Sequence, residues 1–259
     1  MNMENNSPVQ RPGVPVAGGA SSDSGEFILE GRRVPAGNGV AWLSGGWQMF
    51  KEAPGTWIGI AVGFMLIMIV LSLIPLVNLL ANLMLPIFAG GIMLGCRDQE
   101  NGEGVRFSHL FAGFSEYGGQ LVLVGVLYLL GMVVIAVIGG ILGAAAFGLG
   151  AVAGGDHQSA NGMMMVLFGL LILGIAIPLA MAVWYAPALV VLHDVPAFQA
   201  MKASFLVSVK NFLPFLVYGL IFIVLAIVAS IPVFLGWLVL APVTYGSIYV
   251  SYKDMFTAD

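Results

Sequence analysis

Charge is what this sequence most lacks. Of 259 residues, 8% are Asp, Glu, Lys or Arg and 59% are hydrophobic, where soluble domains carry roughly 25% charged residues. Nine basic residues stand against thirteen acids, too few and too scattered to neutralise a phosphate backbone, which argues against a nucleic-acid partner. A single cysteine, Cys96, excludes an internal disulfide. The histidines, His109, His157 and His193, lie too far apart for a shared metal site to be the expected reading. No Gly-rich phosphate loop or nucleophile elbow brings Ser, His and Asp together. The expectation is a non-enzymatic protein with no catalytic residues, no cofactor and no metal.

What fills the space between the sparse charges is apolar. Uncharged tracts run over residues 53–96, 117–155, 158–192 and 211–252. Since one membrane span needs about 20 apolar residues, the first and last tracts are each long enough for two. Ile74-Pro75 and Ile231-Pro232 break them near the middle, where a tight hairpin would turn. Residues 117–155 are read as one span, with Gly139-Gly140 not dividing it, and about 163–187 as another. This gives six spans and puts all nine basic residues, Arg11, Arg32, Arg33, Lys51, Arg97, Arg106, Lys202, Lys210 and Lys253, on the cytoplasmic side with both termini. The first 36 residues are rich in Gly, Ser, Pro and Asn and are expected to form a disordered cytoplasmic tail. No cleavable signal is expected, because the first apolar tract begins beyond residue 50 and is too long for a signal core.

Residues 37–259 read as one membrane domain of three repeats, about 40–98, 107–194 and 196–254. LPIFAGGIMLGCRD (85–98) matches APVTYGSIYVSYKD (241–254), with Pro86 over Pro242, Gly90 over Gly246 and Asp98 over Asp254. MAVWYAPALVVLHD (181–194) follows as the second copy. A gapless alignment of the hairpin entries superposes Phe50, Phe114 and Val209. Each copy is led by a stretch of helical apolar spacing: Val40, Leu43, Trp47 and Phe50; Phe107, Leu110, Phe111 and Phe114; Phe198, Met201, Phe205 and Val209. These are too short to span and predict amphipathic helices at the cytoplasmic interface. The fold class is therefore all-α: six transmembrane helices as three parallel repeats of an interfacial helix plus a two-span hairpin, able to pack about a pseudo-threefold axis.

RRVPAGNGVAWLSGGWQMFKEAPGTWIGI (32–60), with SLIPL (72–76) and HLFAGF (109–114), resembles the start of an uncharacterised family of proteobacterial multi-pass inner-membrane proteins. The resemblance covers roughly residues 32–254 and implies the bacterial inner membrane as location. In layout the chain is also similar to the membrane domain of glycerophosphodiester phosphodiesterases.

Two groups of residues are singled out. Each copy ends in a basic-acidic pair: Arg97-Asp98, His193-Asp194 and Lys253-Asp254. The cations suit the negative C-terminal end of a helix; the aspartates do not and need compensation. Each Asp is expected to accept bonds from the next segment or a neighbouring base, Asp194 as an N-cap for the third interfacial helix; the sharper reading is a charged ring at a cytoplasmic mouth. Asn78 and Asn82 sit four apart on one helical face, as an interhelical clamp or a polar ligand site. Gly91-x-x-x-Gly95 and Gly139-x-x-x-Gly143 are close-packing motifs, and Pro86, Pro178 and Pro242 are candidate kinks. No charged residue falls within a predicted span, which weighs against ion-coupled transport. The favoured function is a scaffold or a partner- or lipid-binding module in contact with the bilayer and possible protein partners or a second copy. The alternative is a channel or facilitator for a small or lipidic solute, lined by Asn78 and Asn82.

Overall fold

The computed structural model describes residues 26–258 except residue 74 and residues 153–156; the side chains of 75–82, 146–152 and 157–165 also fall outside the described residues. Nine α-helices and one 3₁₀ helix make up the described chain: α1 (Asn38–Glu52), α2 (Pro54–Ser72), α3 (Pro75–Glu100), the 3₁₀ helix (Phe107–Phe114), α4 (Gly118–Val152), α5 (His157–Trp184), α6 (Ala186–His193), α7 (Ala197–Lys210), α8 (Phe212–Ser230) and α9 (Trp237–Phe256). A short helix is thus followed by two long ones in α1–α3 and α7–α9, and between them the 3₁₀ helix is followed by α4 and α5, with the short α6 after the break at Tyr185.

Local chemistry sets the breaks. Ala53 precedes Pro54, and the proline ring expels its predecessor from helical geometry; Ala53 sits at φ −142°, ψ 57°, separating α1 from α2. Pro187 acts similarly between α5 and α6: its ring opposes the carbonyl four residues back, and the helix is interrupted at Tyr185. The turn after α8 contains Pro232, then Val233 and Phe234 with φ of 51° and 63°. α4 passes through Gly139-Gly140 without interruption. Pro86, Pro178 and Pro242 lie inside α3, α5 and α9.

The second leading stretch departs from expectation: it is a 3₁₀ helix, not an α-helix. Its backbone lies so close to α3 that a Cβ on Gly113 would collide with the Ile87 carbonyl, and one on Gly91 with the His109 carbonyl. Three-residue periodicity then puts Phe107, Leu110 and Gly113 on one face, with Gly113 against α3 and Phe107 over Gly63 of α2.

Among the described residues four stretches are long and apolar enough to cross a membrane: Pro54–Ser72, Gly118–Ala145, Val166–His193 and Phe212–Ser230. The polar end of α9, with Lys253 and Asp254, keeps that helix apart from these four. Large apolar side chains point outward along the four, among them Leu66, Val133, Leu170 and Ile223, as a bilayer-facing surface requires. The buried core gathers at the opposite, charge-bearing end, around Trp42, Trp57, Phe88, Cys96, Tyr185 and Tyr252.

The short helices set the assembly order. The 3₁₀ helix packs on α3, α7 on α5 and α6, and α1 on α9, so each rides on the last long helix of the preceding segment and the first segment closes the circle on the third. At the centre of the charged half α3 meets both α6 and α9, and Tyr185 at the head of α6 bonds Ser251 of α9.

Residues 26–36 correct the expectation of a tail disordered to residue 36; residues 1–25 lie outside the described residues. Phe27 pairs in antiparallel fashion with Thr257, the Ile28 and Arg32 amides donate to the carbonyls of Phe256 and Met255, and the Phe27 ring stacks on His193 at 3.7 Å. The segment is a strap lying across the charged end. Its order comes from partners more than 150 residues away, which local composition does not register. Gly31 takes φ +59° where a Cβ would collide with Val207, so both backbone and space demand glycine there.

Candidate functional site at the charged end of the bundle

Each seam between segments is built on one small residue of the short helix. Gly46 in α1 and Gly113 in the 3₁₀ helix make matching contacts, and Ser204 in α7 is the small residue at the third seam. Gly46 abuts the carbonyl of Val243 and the amide of Ser247; Gly113 abuts the carbonyl of Ile87 and the amide of Gly91. Ser204 goes further and enters the break in its partner helix, accepting from the Tyr185 amide at 3.0 Å and donating to the Met181 carbonyl at 2.6 Å. Its hydroxyl replaces the helical hydrogen bond lost before Pro187. This equivalence superposes Val40, Phe107 and Phe198, then Leu43, Leu110 and Met201, then Trp47, Phe114 and Phe205. It differs from the gapless alignment of Phe50, Phe114 and Val209 by three residues in the second segment and one in the third.

The same register explains two of the three aspartates. Trp42 and His109 are equivalent positions. The Trp42 indole N–H donates to Asp254 Oδ2 at 2.8 Å, and His109 Nε2 lies 2.9 Å from Asp98 Oδ2. Because His109 Nδ1 accepts the Arg106 amide at 2.9 Å, Nε2 carries the proton and is the donor to Asp98. Each aspartate thus holds a ring N–H from the following segment. Asp254 also receives Asn38 Nδ2 at 2.8 Å, and Arg32 Nη2 approaches it at 3.6 Å. Asp98 also receives Arg97 through Nη2 at 2.9 Å and Nε at 3.1 Å. His109 is therefore a buried seam contact.

The third position differs. The residue equivalent to Trp42 and His109 is Ala200, which has no polar group. Asp194 is exposed and ends α6 in the left-handed region at φ 52°. It does not cap α7 as expected, because Val195-Pro196 carries the chain on before α7 begins, and Gln120 of α4 supplies the acceptor for the Ala197 amide instead. His193 stacks on Phe27.

The basic-acidic dipeptides are therefore not three equivalent pairs. Arg97 bonds Asp98, but Lys253 Nζ turns to Glu100 Oε1 at 2.6 Å. Around that contact lies a polar cleft of about 380 Å3 between α1, α3 and α9, lined by Glu52, Gln99, Glu100, Tyr249 and Lys253 among others. Tyr249 donates to Glu100, and Gln99 links the Trp57 indole to the Met49 carbonyl and Glu52. Every one of these donors meets an acceptor, so the cleft fastens α1, α3 and α9 together. The cations Arg97 and Lys253 are where the dipole rule places them, in the last turns of α3 and α9. Asn78 and Asn82 belong to α3, in a stretch whose side chains lie outside the described residues.

Sequence reasoning missed Trp42, Arg32, Gln99, Glu100 and Asn211 as contact residues. Asn211 fastens the strap, accepting the Val34 amide and donating to the Arg32 carbonyl. The usable signal was the shared register of Trp42 and His109 within stripes already visible as repeats.

The chain is 32% identical over 208 residues to a probable inner membrane protein of Burkholderia thailandensis, covering 76% of each protein. Agreement of that extent spans most of the helical domain. The chain belongs to this family of inner membrane proteins. No family model matches it, and no solved structure does either. In the family's terms the protein is an integral membrane protein in contact with the bilayer.

Proposed function

We propose that this family member is a six-span inner-membrane scaffold with both termini in the cytoplasm, built of three parallel units and working without enzymatic chemistry. The repeated order of short, long and long helices, the cyclic packing and the equivalence of Gly46, Gly113 and Ser204 support duplication of one interfacial helix plus a hairpin. α3 and α9 then complete the set of spans beside the four most apolar ones. The charge-bearing end faces the cytoplasm because the membrane-adjacent Lys and Arg gather there.

The observation that carries the scaffold reading is the filled centre. Where α3, α6 and α9 converge at the charged end, Cys96, Tyr185, Leu189 and Tyr252 are all buried, so packed side chains stand where the mouth of a conduit would open. The layout similarity to the membrane domain of glycerophosphodiester phosphodiesterases brings no activity into this reading.

Reconstituted alone into liposomes, the protein is expected to give no solute flux above that of empty vesicles. Extracted in its own lipid into polymer discs, it is expected to carry a stoichiometric protein partner in native mass spectrometry. A solute-dependent flux abolished by Asn82→Leu would overturn the scaffold and establish the channel reading.

A further inference from the structure

The outer faces of the three seams are equivalent grooves, each bounded by a short helix and the preceding segment's two long helices. At the seam of the 3₁₀ helix with α2 and α3 the groove is filled by protein. Phe88 packs against Phe64, Phe111 and Phe114, while Phe107 lies over Gly63. At the other two it is open: about 470 Å3 beside α1 and about 540 Å3 between α4, α5 and α7. Both fall within the roughly 300–1,000 Å3 typical of small-ligand sites.

The two open grooves differ by one charge. The α7 groove is floored by Gly131, Pro178 and Ala182, walled by Met201 and Phe205, and carries Lys202 at its rim. Lys202 is exposed and enters no ion pair among the described residues. Position for position, the α1 groove has Ser44 there, its hydroxyl turned back onto the Ala41 carbonyl at 2.8 Å. A cation beside an apolar trough, on a short helix at the end of two membrane-crossing stretches, matches one class of molecule. The trough takes hydrocarbon and the ammonium takes a phosphate at headgroup depth.

We infer that the groove between α4, α5 and α7 is a binding site for an anionic phospholipid, one acyl chain lying along Gly131, Pro178 and Ala182 with its phosphate on Lys202. The site rests on the orientation proposed above only in assigning the lipid to the cytoplasmic leaflet. The small floor residues admit the chain, and the lysine selects the headgroup. The α1 groove, of similar size but uncharged, accepts lipid without that selection.

The test places the full-length protein in discs of equimolar phosphatidylcholine and phosphatidylglycerol and counts retained lipids by native mass spectrometry. One phosphatidylglycerol is expected to persist in preference to phosphatidylcholine. Lys202→Gln is expected to lower that preference about fivefold, the effect of one lysine near an anionic surface, and Ala182→Phe to remove the adduct by filling the trough. Should Ala182→Phe not fold, Met201→Trp fills it from the other wall. Equal retention of both lipids, or a preference unmoved by Lys202→Gln, overturns the inference. Loss with Lys202→Gln but survival in both groove-filling variants also overturns it, reducing the contact to headgroup adsorption. Labelling of Lys202→Cys by an impermeant thiol reagent, in a background where Cys96 is buried, reads the orientation separately. A label from the periplasmic side would sink the orientation and leave the lipid result standing.

Discussion

At two seams of this bundle a ring N–H meets an aspartate, Trp42 on Asp254 and His109 on Asp98. At the third the equivalent positions are Ala200 and Asp194, and the closure is neutral: Ser204 bridges Met181 and Tyr185, Gln120 caps α7, and Phe27 covers His193. The shared requirement is therefore the small residue that lets the short helix approach, and the charged latch is an addition to it. A neutral bridge avoids desolvating a carboxylate, whereas an aspartate fastened by ring and guanidinium donors adds direction to the contact. The comparison predicts an order of damage.

Removing the close approach should cost most. A Cβ on Gly46 would collide with the Val243 carbonyl and the Ser247 amide, backbone atoms that cannot turn aside as a side chain can. Gly46→Val is expected to destabilise by about 3 kcal/mol or more, beyond ordinary overpacking, because two helices must separate along their length. In thermal denaturation of disc-embedded protein this variant should be the least stable, or give no folded yield. A Gly46→Val protein as stable as the parent would end the claim that the seams depend on small residues.

Removing a latch should cost less. Asp254→Ala deprives the buried Trp42 indole and Asn38 of their acceptor, and the loss expected is about 2–3 kcal/mol. Asp98→Ala orphans the His109 Nε2 proton and is expected to follow closely. Ser204→Ala, at the unlatched seam, strands the Tyr185 amide and should cost about 1–3 kcal/mol. Equal stability of the two aspartate variants with the parent, on the same thermal scale, would show that the short helices hold without their latches.

The helices were legible because bilayer thickness fixes their length and the few charges mark their ends. The stripes led by Val40, Phe107 and Phe198 already held the structural register. The gapless entry alignment lost it because apolar strings match at many offsets, and because the anchoring residue is Gly46 and Gly113 in two segments but Ser204 in the third. The closure of Trp42 on Asp254 joins residues 212 positions apart, a pairing no local pattern announces. The strap at 26–36 was hidden for the same reason. Asp194 was misread from composition: an acid before Val-Pro resembles an N-cap, yet the left-handed end of α6 claims that residue first.

That left-handed position supplies the smallest effect and the most discriminating one, because its sign is reversed. At φ 52° an aspartate carries a side chain in a region that disfavours Cβ, and glycine is the residue helices favour at such an end. Asp194 is exposed and owes nothing to a ring donor, so Asp194→Gly removes backbone strain without breaking a latch. The expected outcome is a stability unchanged or raised by up to about 1 kcal/mol. Asp98→Gly and Asp254→Gly lose both latch and helix propensity, since those residues lie within α3 and α9, and should each fall by more than the alanine variants do. Three aspartates aligned by sequence would then separate into two that fasten the segments and one that ends a helix. If Asp194→Gly instead falls as far as Asp254→Gly, the third seam has a latch through Asp194 after all and the asymmetry fails.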